Sequence, residues 1–451
     1  MWLHGWLLTK QKQQKAAATR PGQPVLDRAD LMQVEITAKM MWGMESFPSP
    51  QQRQQSSQMR AQVRSLLKGL EDKRSASAIA SRKLGILNAE LGNKAEAARR
   101  FREAARLGVH PNAKQMPLDG WLWQAVYGEG SLTKEDLPRV RRVVRWLHLG
   151  WYEHLVLAAA SRKVGDHASA ADQHNALVRH CAPTFLALML ITFLLMGAVA
   201  IGLVLNIVAL VLRSRGQLNF GALNKSPLPG RFLMETFALY FFLQNVPPYL
   251  FAERWQMVWL LIPLELLPLV SLLWLSSQLK PLGLNLGEIG LRGRGWWKEV
   301  GWGIAGYLTA FPWLAGALIL FGLFLRNFDL PRPYHPIQET LERAPNAMTL
   351  TLLFLLAAVL APVMEEIFFR GALHGALRRW WGPFVGAVLS AAFFALLHPQ
   401  AAVLPIFGLP IFVLGALFSC MYELRGSLIS NIVAHGINNG LVLAVYVMVT
   451  R

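Results

Sequence analysis

Apolar residues are distributed unevenly along this chain of 451 residues. The first 180 residues are polar, whereas the remainder consists of long apolar runs separated by short polar loops. A helix needs about 20 apolar residues to cross ~30 Å of hydrocarbon, so these runs predict transmembrane helices. The predicted spans are 183–212, 231–252, 255–278, 299–325, 347–369, 383–398, 402–422 and 427–449.

The pattern predicts an all-α fold, a polytopic membrane helix bundle of seven or eight transmembrane helices. The number stays open because 383–398 is short, and because 231–252 contains Glu235, Gln244 and Asn245, which suit a kinked or re-entrant segment. The domain boundaries follow from the pattern: a poorly ordered tail and linker over 1–60, a soluble helical domain over 61–180, and a transmembrane domain over 183–451.

The soluble part has its own helical signals. Within 1–60 the pattern favours one helix, around residues 31–44. In 61–180, the stretch from Leu84 to Pro111 resembles a tetratricopeptide repeat, with a turn at Gly92-Asn93, and a weaker copy covers 155–177. This TPR-like resemblance implies a domain that binds a protein partner or packs on the membrane unit, and a generic helical bundle is the alternative.

Charge is concentrated in the soluble part. Residues 1–180 carry 28 Lys and Arg against 16 Asp and Glu, and the whole chain has a formal net charge of +18. In a membrane protein, basic residues mark cytoplasmic loops and contact anionic lipid, so we predict a lipid bilayer and no nucleic acid as partner. Two cysteines, Cys181 and Cys420, make neither a disulfide framework nor a metal cluster.

Loop charge also predicts orientation. The basic loops 213–231 and 279–298, and the residues after 369, should face the cytoplasm. With eight spans, this orientation would place the N-terminal domain outside the cytoplasm. We favour a cytoplasmic N-terminal domain, and the side of the membrane on which it lies stays open.

A few polar residues interrupt the last apolar segments. Glu365 and Glu366 lie side by side in the first of these segments, where a carboxylate is costly to insert and is therefore a functional candidate. Glu366 and Arg370 are four residues apart on a helix and can pair, whereas Glu365 projects about 100° away. His398 follows in the next segment, and His435 and Asn439 share a helix face in the last segment. Intramembrane polar residues usually face the bundle interior, so we expect them to meet.

These residues match three motifs of a known family. Glu365-Glu366-x-x-x-Arg370, Phe394-x-x-x-His398 and His435-x-x-x-Asn439, in this order, resemble the CAAX-protease and bacteriocin-processing (CPBP, or Abi) family of intramembrane proteases. The resemblance covers about 230–451.

The resemblance implies roles for each residue. Glu365 would be the general base that activates water, and His398 would hold that water. His435 and Asn439 would stabilise the oxyanion or position water or substrate, with Glu366 and Arg370 supporting the site. A metalloprotease with Zn²⁺ held by Glu365, His398 and His435 is chemically reasonable, and a metal-free glutamate–histidine mechanism is equally consistent.

The function expected is therefore an intramembrane endopeptidase acting on a membrane-associated peptide or protein, CAAX-protease-like, in a bacterial inner membrane with its active site open to the cytoplasm. A prenylated tail, a bacteriocin leader and an unrelated membrane peptide all remain possible substrates. The alternative is a non-catalytic scaffold or bacteriocin-immunity-type protein that keeps the polar cluster.

Other protease signatures, such as His-Glu-x-x-His and Gly-x-Ser-x-Gly, are missing from the sequence. His374 is interpreted as interfacial, and Glu423 with Arg425 as a loop pair.

Overall fold

The computed structural model describes residues 26, 28–47, 50–75, 77–108, 118–218, 227–250, 266–291, 295–328, 346–398 and 408–450. Within these ranges the protein is all-α, as the hydrophobic pattern predicts. Contacts divide the chain into two compact units, one within residues 12–192 and one within 193–449.

The first unit, called the soluble unit after the prediction from its polar sequence, contains among its described residues seven α-helices and the first part of an eighth. These helices are α1 (Arg28–Gly43), α2 (Pro50–Lys68), α3 (Ala78–Glu90), α4 (Lys94–Leu107), α5 (Leu118–Leu122), α6 (Leu137–Trp146), α7 (Tyr152–Lys163) and α8 (His167–Ser214). Their apolar faces share one core, which includes Val34, Val63, Leu87, Val144 and Val156. The predicted linker after residue 46 is thus helical from Pro50 onward, and the expected boundary at residue 60 lies inside α2.

A helix pair forms where the sequence resembles a tetratricopeptide repeat. The Asn93 side chain caps α4 by accepting a hydrogen bond from the Glu96 amide, which starts the second helix directly after the predicted turn. Phe101 is fully buried, and a Cβ on Gly85 would lie 2.9 Å from its ring, so the two helices cross closely here. The turn is where it is predicted, whereas membership of the repeat family stays a prediction.

In the part of the membrane unit that the structure describes, the chain continues from α8 through eight further α-helices. They are α9 (Gly230–Leu250), α10 (Val270–Leu279), α11 (Trp296–Phe328), α12 (Ala347–Leu355), α13 (Ala361–Glu365), α14 (Gly375–Leu396), α15 (Leu409–Arg425) and α16 (Leu428–Thr450). Two wider π-helical segments, Leu356–Leu360 and Glu366–His374, join α12, α13 and the part of α14 before Gly382 into one helical leg. The second π segment begins at Glu366, and such segments occur often at functional sites.

Among the described residues, four helical stretches are long and apolar enough to span a bilayer: His167–Ser214, Trp296–Leu325, Ala347–Leu396 and Leu428–Met448. Predicted segments 255–278 and 402–422 lie partly outside the described residues, and α9 occupies most of 231–252. The total of seven or eight spans therefore stays a prediction.

The 50-residue stretch from Ala347 to Leu396 is a hairpin. At Gly382 the backbone adopts φ 82° and ψ 166°, just before Pro383. The Ser390 hydroxyl donates to the Phe369 carbonyl at 2.9 Å, although 21 residues would separate these groups by about 30 Å along a straight helix. The two legs are therefore antiparallel, and they correspond to predicted segments 347–369 and 383–398.

Candidate active site

Glu366 is the centre of a fully buried polar cluster. Its Oε1 atom lies 2.8 Å from His435 Nδ1 and 3.1 Å from an Arg370 terminal nitrogen, and its Oε2 accepts from the Asn431 amide at 3.1 Å. Its side chain is inaccessible to solvent. A buried carboxylate is tolerated when a cation and hydrogen-bond donors surround it in this way. The arrangement agrees with the supporting role that the resemblance implies for Glu366 and Arg370.

Asn431 is a cluster residue that the sequence analysis missed. Its amide donates both to Glu366 and, at 2.8 Å, to the Phe418 carbonyl, so it joins α15, α16 and the π segment. It is completely buried. Asn431 precedes His435 by four residues, so helical spacing alone could have placed both on one face.

His435 lies between the two adjacent glutamates. Its Nδ1 atom contacts Glu366, and its Nε2 atom lies 3.5 Å from Glu365 Oε2. Because an ionised carboxylate only accepts hydrogen bonds, Glu366 fixes the proton of a neutral His435 on Nδ1 and leaves the Nε2 lone pair toward Glu365. The Glu365 side chain is 22% exposed. One glutamate is thus enclosed and the other is accessible, although they are neighbours in the chain.

His398 and His435 pack against the same aromatic ring. The Phe394 ring centroid is 4.7 Å from that of His398 and 6.0 Å from that of His435, and the Arg370 guanidinium lies 4.5 Å from the ring centre. His398 Nδ1 donates to the Phe394 carbonyl at 2.7 Å, which leaves Nε2 as the nitrogen for any further partner. The motif Phe394-x-x-x-His398 therefore contacts the cluster through the ring of Phe394.

Asn439 lies one turn beyond His435 and bonds to the first π segment. Its amide donates to the Ala357 carbonyl at 3.0 Å, and its Oδ1 accepts from Asn438 at 3.1 Å. An amide group carries two hydrogens, so one of them remains for a substrate oxygen. α16 approaches closely here, because a Cβ on Gly436 would lie 2.7 Å from the Ala358 carbonyl oxygen.

A second buried cluster lies further along the same helix face, where sequence reasoning was wrong. His374 is fully buried rather than interfacial, and its Nε2 lies 2.8 Å from Glu423. Arg378 also binds Glu423, through its Nε at 2.6 Å, whereas Arg425 pairs with Glu299. Glu366, Arg370, His374 and Arg378 recur every four residues, and this spacing is the signal that could have revealed the ladder of polar groups.

Both site histidines have one ring nitrogen engaged and the other available. His435 Nδ1 is engaged by Glu366 and His398 Nδ1 by a backbone carbonyl, and histidines that bind metals through Nε2 are commonly held in this way. Across the part of the chain that the structure describes, no three His, Cys, Asp or Glu side chains form a group that could hold a metal ion. We therefore derive no chemical step through zinc, and metal dependence stays open to measurement.

Comparison with known proteins places the cluster inside a protease match. Residues 347–441 match the family model described as type II CAAX prenyl endopeptidase, Rce1-like. This segment resembles an intramembrane protease of the CPBP family. It contains Glu365, Glu366, Arg370, His398, His435 and Asn439, so the resemblance drawn from the three motifs is confirmed.

A relative matches this chain over a segment about as long as the family match. An uncharacterized 24.3 kDa protein of Escherichia coli is 31% identical over 93 residues, which is 20% of this chain and 43% of that protein. The chain thus spans less than half the length of the relative. No solved structure matches the chain. Together with the four apolar helical stretches, the family match supports an integral membrane protein related to peptidases.

Proposed function

We propose that the protein is an intramembrane endopeptidase in which Glu365 activates water for attack on a peptide carbonyl. The observation that carries the proposal is the position of His435, between buried Glu366 and accessible Glu365, inside a segment that matches a protease family. A general base must be accessible to water and must also lie beside a polar group that affects how readily it takes up a proton. Of the two glutamates, Glu365 meets both conditions.

The proposed reaction balances with one water molecule. Glu365 accepts a proton from water held beside His398, and the hydroxide adds to the peptide carbonyl carbon. The tetrahedral oxyanion is stabilised by the N–H group of Asn439 that Ala357 leaves available, whereas the Nδ1–H of His435 stays on Glu366. Glu365 then returns its proton to the departing amine nitrogen, and the C–N bond breaks to give a carboxylic acid and an amine.

Glu366 and Arg370 act on this reaction through His435. Glu366 accepts from Nδ1 and thereby orients the ring, so that Nε2 faces Glu365. Arg370 compensates the Glu366 charge and packs on Phe394 and Phe418, at 4.5 and 5.4 Å from the ring centres. Both are positioning residues in this proposal.

The substrate is proposed as a peptide or protein that is already bound to the membrane. The matched family is named for prenyl endopeptidases. The Escherichia coli relative supports a bacterial source for the protein. We place it in the bacterial inner membrane, with its site open to the cytoplasm. Which membrane peptide it cleaves is the subject of the trapping experiment.

The test is to purify the Glu365→Gln protein and identify co-purifying membrane peptides by mass spectrometry. We expect peptides that are enriched over the Glu235→Gln control, which changes a partly exposed glutamate paired with Arg231 on α9. Addition of wild-type protein should cleave the trapped peptides. A non-catalytic scaffold predicts the same peptides on both variants and no cleavage by wild-type protein, and that result would overturn the proposal.

A further inference from the structure

The soluble unit carries a basic and aromatic surface at one end of its helices. Exposed on it are Arg142 and Arg145 of α6, Trp146 at the end of α6, Arg179 of α8, and Phe47. We refer to these five residues as the basic end. Trp146 is 68% exposed, which is unusual for a large aromatic side chain on a soluble surface.

The position of this surface follows from α8. Leu177, Cys181 and Phe185 of α8 are buried in the soluble unit. From Leu186 onward the helix exposes large apolar side chains, and it becomes the most apolar of the four candidate spans. A helix with such a surface enters the hydrocarbon, so the bilayer boundary lies close to Phe185.

The basic end lies toward this boundary. The Phe47 ring is 5.9 Å from the Phe185 ring, and His154 near the start of α7 lies between Gln173, 3.1 Å from its Nδ1, and the His180 ring, at 6.3 Å. α6 joins α7 through only the five residues 147–151, so the last turn of α6 is beside the first turn of α7. Arg145 and Trp146 are in that last turn.

The other end of α6 is far from the boundary. Lys134, just before α6, follows Gly128, whose carbonyl accepts a hydrogen bond at 2.7 Å from Lys163 at the end of α7, close in the chain to the start of α8. Residues 166 and 185 are separated by about 28 Å along a helix with a rise of 1.5 Å per residue. Lys134 therefore provides a matched cation on the same helix but away from the bilayer.

We infer that the basic end is a membrane-contact surface that binds anionic lipid headgroups and holds the soluble unit against the bilayer. Arginine beside an exposed tryptophan is the composition that suits a headgroup layer, since the guanidinium binds phosphate and the indole lies at the interface. Glu153, half-buried at the start of α7, is an acidic residue near this end, and the three arginines outweigh it. The inference depends on the bilayer entry of α8 and is independent of the proposed protease chemistry.

Hydrogen exchange of the full-length protein in lipid nanodiscs tests the inference. Peptides from the end of α6 and from 147–151 should exchange several-fold more slowly in discs with phosphatidylglycerol than in phosphatidylcholine alone. Each arginine near an anionic surface contributes roughly fivefold to such binding, so Arg142→Ala with Arg145→Ala should weaken the binding by roughly 25-fold and abolish the several-fold protection. Lys134→Ala, the matched control, should retain it.

Two readouts keep the result interpretable. Slow exchange in α7 of the double variant shows that the soluble unit remains folded, because α7 contributes Tyr152, Leu155 and Val156 to its core. Equal exchange at 143–151 in both lipid compositions overturns the inference, as does equal loss of protection in Lys134→Ala. The first of these results would redirect the basic end toward an acidic protein partner. Protease activity is not part of the readout, so failure of the proposed function would leave this test intact.

Discussion

Substitution of glutamine for each of the two adjacent glutamates should have very different effects on the stability of the protein. Glu366→Gln removes the charge that compensates Arg370, whose side chain is 1% exposed, and it changes one of the two oxygens that receive hydrogen bonds. Breaking a buried ion pair by removing one partner typically costs about 3–5 kcal/mol, because the remaining charge is left uncompensated. Glu365→Gln alters a side chain that is 22% exposed, so its cost to stability should be below about 1 kcal/mol.

Both variants should lose activity, but for different reasons. Loss of a general base lowers the rate by about 10²–10⁴-fold, so Glu365→Gln should be folded and nearly inactive. Glu366→Gln should lose activity together with stability. The measurement is denaturant-induced unfolding of each protein in detergent micelles, followed by hydrogen exchange in α16, beside cleavage of the trapped peptide.

A double variant separates charge compensation from other effects. Arg370→Met combined with Glu366→Gln removes both members of the pair, so it should recover much of the stability that Glu366→Gln loses. If Glu365→Gln were the more destabilising of the two single variants, or if Arg370→Met added its full cost to that of Glu366→Gln, the assignment of Glu366 as the structural member would be refuted.

Four further results are expected. Asn439→Ala should lower kcat by about 10²–10³-fold with a small change in KM, measured by steady-state cleavage; equal kcat would remove Asn439 from the oxyanion site. Glu423→Gln should destabilise the protein by about 3–5 kcal/mol in denaturant unfolding, since Arg378 and His374 stay buried beside it; a loss below 1 kcal/mol would contradict this. Gly382→Ala should cost about 1–3 kcal/mol, because its φ of 82° and ψ of 166° suit glycine alone; unchanged stability would contradict the hairpin bend. Metal analysis and chelation should find activity independent of zinc, and stoichiometric zinc lost together with activity would instead support the metal mechanism.

The sequence predicts the chemistry of this site better than its architecture. Helical spacing places Glu366 with Arg370 and His435 with Asn439, and the cost of polar groups in hydrocarbon predicts that they meet. Contacts between Glu366, Arg370 and His435 agree with that expectation. No pattern within a single helix gives the rotation of one helix against another, and therefore the sequence could not tell which nitrogen of His435 faces which glutamate.

The elements that sequence reasoning missed have a common cause. The sequence predicts His374 as interfacial and Glu423 as part of a loop pair, because each lies near the end of a predicted segment with arginines close by in the chain. Their burial depends on α15 packing against the π segment, which is a tertiary contact between residues 49 apart. The helix Pro50–Lys68 was missed for a related reason: its polar sequence favours a linker, but Val63 and Leu67 are buried in the core of the soluble unit.

The most direct measurement is single-turnover cleavage of a trapped membrane peptide by purified protein in nanodiscs. Wild-type protein should release two products whose new termini mark one peptide bond, and Glu365→Gln should do so at least about 100-fold more slowly while its unfolding curve is unchanged. Equal rates for the two proteins, or no cleavage by either, would contradict a Glu365-dependent intramembrane hydrolase.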